Sequence, residues 1–421
     1  MVASLLQGMV ALAGLVLAGS LLVGWRGWID APGVGRGVRW LWGIATGLAS
    51  LGLLAAVWVP FFTFFAASLL LLLGLMGAVM MWMRGAPGRR VGGLGLFALI
   101  CAGIGAMQPL GLKVLALPKA DELPRQMVPS ARVLKTYGPG MWFEGIAAAP
   151  DGTLYLAQNT GENYATGDKS QVHASVIQRS PDGSERVFFT LPQGSTAGVM
   201  AIAADGTIYM AGTGAHRGLW RISPDGTGKF FVQLPRGAWP NGVTLGPDGK
   251  LYVADSALGV LWRVDPTTGT LEKAYAGKVL RARPYIALPP GANGVHFHGR
   301  DLYVTVSDQG TLLKLHLGED GKLGAPTVAA RGVPADDFAV DGDGTVYLTT
   351  HIYNTIVRVT PDGQRMVVAD AHDGIVGATD AVFGRSDHDR RTLYVVTDGG
   401  ALATGNRAAR GTLVALDVPA R

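Results

Sequence analysis

The chain has 421 residues, with 36 Lys and Arg against 31 Asp and Glu and a formal net charge of +5. That length exceeds one ordinary domain, so a division of the chain is expected. The positive excess lies before residue 113, where Arg26, Arg36, Arg39, Arg84, Arg89 and Arg90 stand against one acid, Asp30; the rest is near neutral and has no basic patch interleaved with aromatics, which argues against nucleic acid as a partner. The one cysteine, Cys101, excludes a disulfide framework within the chain.

Residues 2–25 carry no charge and are long enough to cross a bilayer, which takes about 20 apolar residues. They have no basic start and are longer than the core of a cleaved signal, about 7–15 residues. Residues 40–83 form a second uncharged run. As one helix it would measure about 66 Å at 1.5 Å per residue, twice the hydrocarbon thickness, so it reads as two spans that turn near Val59 and Pro60. Residues 91–112 make a fourth span. The loops 26–39 and 84–90 each hold three Arg. Four spans put both on one side, which the positive-inside rule assigns to the cytoplasm. Residues 1–112 are therefore expected to be a four-helix membrane anchor and 113–135 a proline-rich linker. Residues 136–421 are expected to be an extracytoplasmic domain.

That domain repeats. An apolar alternation, an Asp-Gly turn and a short Leu-Tyr-type strand recur, as in Glu144-Gly-Ile-Ala-Ala-Ala-Pro-Asp-Gly-Thr-Leu-Tyr and Asn241-Gly-Val-Thr-Leu-Gly-Pro-Asp-Gly-Lys-Leu-Tyr. The tyrosines fall at 155, 209, 252, 303, 347 and 394, at intervals of 54, 43, 51, 44 and 47. Blades of four strands repeat at about 40–50 residues, and Asp-Gly between alternating runs signals a hairpin. The expected fold is an all-β six-bladed propeller, in which closure of the ring protects the strand edges.

Superposing the repeats on their Asp-Gly turns aligns Glu144, Gly198, Asn241, Asn293, Asp336 and Asp380 at the entry of the innermost strands. Equivalent positions of innermost strands form a ring around the axis. Three carboxylates and two amides converging there would repel and be desolvated if left alone. A hard divalent cation, calcium above all, relieves both problems with 6–8 oxygen ligands, and a ring without Cys or His argues against zinc or copper. The plain alternative is that Asn-Gly and Asp are ordinary turn formers at strand entries.

At these motifs the sequence resembles the regucalcin (senescence marker protein)/gluconolactonase family of six-bladed, calcium-dependent lactonases. The carriers are Glu144-Gly, Pro240-Asn241-Gly-Val, Asn293-Gly-Val, Asp336-Asp-Phe-Ala-Val-Asp and Thr379-Asp-Ala-Val-Phe-Gly-Arg. The resemblance covers roughly residues 139–416. It implies Glu144, Asn241, Asn293 and Asp336 as metal ligands and Asp336 as general base as well. Asp336 is preferred over Asp337 because it stands five residues before Asp341, as in the family pattern. Where the family's founding members carry a sugar-binding Arg, this chain has Trp239, so a less polar lactone or ester is the expected small-molecule substrate.

Trp142, Phe143 and Trp239 flank the ring and would wall a pocket, as would Asp337 and Asp380. His173 and His216 are loop candidates for the pocket mouth, whereas His296 and His298, alternating along an inner strand, read as packing or capping residues. The alternatives to a membrane-held hydrolase are a binding propeller braced by a structural calcium, and a strictosidine-synthase-like propeller.

Overall fold

The computed structural model describes residues 118–161, 169–282 and 290–418. The four expected membrane spans and Cys101 lie outside these residues. Among the described residues no helix is long and apolar enough to cross a membrane.

Twenty-four strands, numbered β1–β24 in chain order, form six four-stranded antiparallel sheets among the described residues. Each sheet is one blade of a propeller. The innermost strands are β2 (Trp142–Ala148), β6 (Met200–Ile202), β10 (Pro240–Leu245), β14 (Ala292–His298), β18 (Phe338–Val340) and β22 (Ala378–Phe383), each packed against the next around the ring. The hairpins turn where the sequence places Asp-Gly. Gly152, Gly206 and Gly344 hold φ of +85°, +83° and +86°, a region that glycine enters without a Cβ penalty. The preceding side chain completes the turn, as where Thr153 N–H donates to Asp151 Oδ1 at 2.9 Å.

Five blades use four consecutive strands. The sixth takes β22, β23 (Thr392–Thr397) and β24 (Thr412–Asp417), and its outermost strand is β1 (Ala131–Thr136). Residues 118–135, expected as linker, therefore belong in large part to the propeller. Gln126 and Val128 N–H donate to Val367 and Val368 C=O, both at 2.8 Å, and Ala120 is buried. The sequence signature of a linker, several prolines with mixed charges, also suits an outer segment that runs along sheet edges.

Every inner strand enters its sheet through a β-bulge, a device that re-aims side chains beside active sites. The first bulge residues are Glu144, Gly198, Asn241, Asn293, Asp336 and Thr379; the second are Gly145, Val199, Gly242, Gly294, Asp337 and Asp380. Asp380 therefore stands one position beyond the entry ring in which the sequence alignment put it. Residues 384–391 lengthen the first turn of blade six, so counting back from that turn misplaces the entry by one.

The second bulge position is where neighbouring blades touch. A Cβ on Gly242 would lie 2.5 Å from Asn293 O, and one on Gly145 2.6 Å from Gly198 O. Side chains pin the same seam. Asn159 Nδ2 donates to Ala197 O at 2.8 Å, and Ser256 Oγ to Ala292 O at 2.6 Å. Ser307 Oγ donates to Ala335 O at 2.6 Å, and Thr379 Oγ1 to Phe143 O at 2.8 Å. Between blades the core is apolar, for example Ile208, Met210 and Ile222 against Val176 and Ala157.

Candidate active site at the propeller axis

The first bulge residues bring part of the expected ring together. Asn293 Nδ2 donates to Asp336 Oδ1 at 2.5 Å and to Ser307 Oγ at 3.0 Å. Asn241 occupies the matching bulge of blade three, with Nδ2 3.4 Å from Ser256 Oγ. Glu144 is half-buried on the bulge of β2. Asn241 and Asn293 are 7% and 1% exposed, so their amides are held by the fold rather than by solvent. The backbone of Asp336 is fully used: its N–H donates to Thr349 O at 2.8 Å, and its C=O accepts from Gly294 N–H at 3.0 Å and Thr305 Oγ1 at 2.8 Å. That leaves only the carboxylate for chemistry.

A histidine that the sequence reading passed over completes this layer. His351 Nδ1 lies 3.0 Å from Asp336 Oδ2, and its Nε2 lies 2.9 Å from Asp398 Oδ2. Burial alone would lower the His351 pKa. Asp336 and Asp398 outweigh it and hold the imidazole well above its ordinary value, which favours the protonated form. Asp398 is fixed in turn by Gly400 and Leu402 N–H, which donate to it at 2.6 and 2.8 Å. His351 and Asp398 stand four residues after the repeat tyrosines 347 and 394, and the same offset gives the seam residues Asn159, Ser256 and Ser307. That periodic offset was the available signal.

The second bulge residues build a deeper layer. Asp337 turns away from Asp336: its Oδ1 lies 2.9 Å from His296 Nε2 and accepts from Phe338 N–H at 2.8 Å. His296, expected as a packing residue, is thus an acid–base partner on β14. Asp380 accepts from Ile146 N–H at 2.9 Å and Ala381 N–H at 2.7 Å. Burial, then the Asp337 and Asp336 charges, hold its carboxyl well above the usual range. Burial likewise raises Asp337, against the opposing pull of His296.

The remaining candidates are dispersed. Trp142 is buried on β2, and Trp239 is half-buried before Asn241, its N–H donating to Asp255 Oδ1 at 2.9 Å. Phe143 is fully buried and packs on Tyr137, with ring centroids 4.3 Å apart. His173 is exposed at the start of its strand. His216 lies 3.0 Å from Ser195 Oγ and packs on Trp220 and Phe230, while His298 lies at the end of β14. A cavity of about 710 Å³ between blades five and six, lined by Gln126, Asp341, Tyr347, Arg358 and Arg391 among others, contains none of the axial residues.

The donor set of the first layer, carboxylates and amides with no sulfur, fits a hard divalent cation. Asn293 reaches Asp336 through its amide nitrogen, so its amide oxygen is the atom left to face a cation, and His351 beside Asp336 offsets part of the negative charge when protonated.

No family model matches the chain. A curated protein of Sarocladium schorii, assigned as a hetero-Diels-Alderase, is 30% identical over an alignment of 160 positions, gaps included, that covers 32% of this chain and 39% of that protein. The chain thus spans about two-fifths of the length of the curated relative it matches. Among solved structures, a protein assigned as a gluconolactonase superposes with a TM-score of 0.50 at 18% identity, covering 72% of this chain and 99% of the other. A calcium-binding regucalcin of Agrobacterium tumefaciens gives 0.49 at 16% identity, covering 70% and 96%. At 18% identity the likeness to the first of these shows the propeller fold alone.

Proposed function

We propose that the chain is a divalent-metal-dependent hydrolase of lactones or esters. The observation that carries this reading is the register of Glu144, Asn241, Asn293 and Asp336 on matching bulges, with Asn293 and Asp336 in contact. These four residues would hold the cation, calcium by the hardness of its donors; when bound, it supplies Lewis-acid polarisation of the substrate carbonyl. The protein's own groups do the rest. Asp336 accepts the proton of the attacking water as its oxygen bonds to the acyl carbon. His351, held by Asp398, orients that carboxylate and supplies a proton to the departing alkoxide as the ring or ester C–O bond breaks. Trp239, two residues before Asn241 in the chain, favours an acyl group of low polarity.

A chelator is expected to abolish turnover across a lactone and ester panel, and calcium to restore it. Asn241→Ala should weaken metal binding by at least about 10–100-fold. Turnover that survives both chelation and Asn241→Ala would remove the reading.

The curated relative favours a second reading, in which the same axis closes a ring without hydrolysis. A pericyclic step transfers no proton to solvent and needs no Lewis acid. It would proceed unchanged in chelator, and an acyclic apolar substrate would be consumed without uptake of water.

We also propose that residues 1–112 tether the propeller to a membrane and hold it on the extracytoplasmic face. A reporter fused after Arg421 should be active only outside the cytoplasm; cytoplasmic activity would reverse the assignment.

A further inference from the structure

We propose that His296, Asp337 and Asp380 form a second cation site, deeper in the axis than the entry ring, which takes a first-row divalent ion such as manganese. The three residues come from the inner strands of three successive blades, and one ligand atom from each lies within 4.8 Å of the others. Asp337 is 2% exposed, and its Oδ2 has no hydrogen-bond partner. A buried carboxylate oxygen without a donor costs free energy that a folded chain normally avoids. A bound cation removes that cost.

The three side chains leave lone pairs for an ion. His296 Nε2 and Asp337 Oδ1 are 2.9 Å apart. That contact occupies Oδ1 together with Phe338 N–H and leaves Oδ2, the oxygen without a donor, to take an ion. Asp380 is oriented by Ile146 and Ala381 N–H, and an ionised carboxylate retains further lone pairs. Such outer hydrogen bonds are the usual support of a ligating carboxylate. The His296 ring stands edge-on to Phe338, with centroids 4.8 Å apart, which fixes its plane. One imidazole with two carboxylates shifts preference from calcium towards manganese, iron or zinc.

Folding does not require these charges. The same bulge position is Gly145, Val199, Gly242 and Gly294 in the other four blades. Only blades five and six place carboxylates there, and they converge beside a histidine. The inference is independent of whether the entry ring hydrolyses anything, because it concerns binding in the absence of substrate.

The test uses the full-length chain, stripped of metal and then given saturating calcium to occupy the oxygen-only ring. Manganese is titrated, and bound ion is read by electron paramagnetic resonance, with pulsed measurements of ¹⁴N coupling. The expected result is one manganese per chain with imidazole nitrogen coupling. His296→Gln should remove the coupling and weaken binding about 10–100-fold, Asp380→Asn should weaken it comparably, and His351→Gln should leave the coupling intact. His296 is partly exposed, so its variant is expected to fold; the wild-type titration decides the matter even where the buried Asp380 variant does not. No manganese retained beside calcium, coupling that survives His296→Gln, or coupling lost in His351→Gln would overturn the proposal. Loss of lactone turnover alone bears on the entry ring and not on this site.

Discussion

Asp336→Asn is expected to lower kcat/KM for the lactone or ester substrate by about 10²–10⁴-fold, with the propeller still folded. The substitution is nearly isosteric, and the backbone bonds of Asp336 to Thr349, Gly294 and Thr305 do not involve the side chain. What changes is charge. The asparagine cannot accept the proton of water, offers the cation a weaker ligand, and leaves His351 with one carboxylate, Asp398, in place of two. His351→Gln separates these roles. It keeps the Asp336 carboxylate and the metal ligands, so metal affinity should hold while kcat falls. Steady-state kinetics with a parallel calcium titration checks both variants. Activity of Asp336→Asn within a few-fold of wild type would take the chemistry away from this carboxylate.

Much of the architecture was legible because propeller blades repeat local rules. The Asp-Gly turns and the alternating strands need no distant partner to be recognised, and the entry residues Asn241, Asn293 and Asp336 fall in register because their hairpins have nearly equal lengths. Asp380 slipped because the turn of residues 384–391 breaks that equality. The bulge itself was not visible in sequence: two residues opposite one is a property of pairing. It separates Asp336, which faces Asn293 and His351, from its neighbour Asp337, which faces His296. His351 and Asp398 were passed over although they share an offset from the repeat tyrosines, since their roles depend on contacts between blades. His296 looked like a packing residue for the same reason: its partner is 41 residues away.

The strand missed by the sequence reading carries the second large effect. Replacing residues 131–136 by a Gly-Ser segment of equal length should lower unfolding stability by more than about 4 kcal/mol, a loss in the range reserved for a few disruptive mechanisms. β1 pairs with β24 from Ala131 opposite Leu416 to Thr136 opposite Thr412, so its removal leaves β24 as an open edge. Ser130 Oγ and Arg132 both donate to Asp417. Lys135 reaches the neighbouring blade, where Glu185 accepts from Lys135 at 2.5 Å, Arg179 at 2.8 Å and Tyr137 at 2.9 Å. The strand therefore joins the first and last blades as well as completing one sheet. Burial pushes the Glu185 pKa up, but Lys135, Tyr137 and Arg179 outweigh it and hold the carboxyl below its ordinary value. Its contribution is then complete above the unfolded-state pKa and is lost as pH falls through the lowered folded value. Lys135→Ala alone should cost at most about 1 kcal/mol, because that side chain is 41% exposed. Denaturant unfolding of the full chain at neutral and acid pH reads all three effects. An unchanged midpoint for the Gly-Ser replacement would mean that the ring closes without β1, and the gap between that replacement and Lys135→Ala measures how much of the closure lies in the backbone ladder rather than in the ion pair.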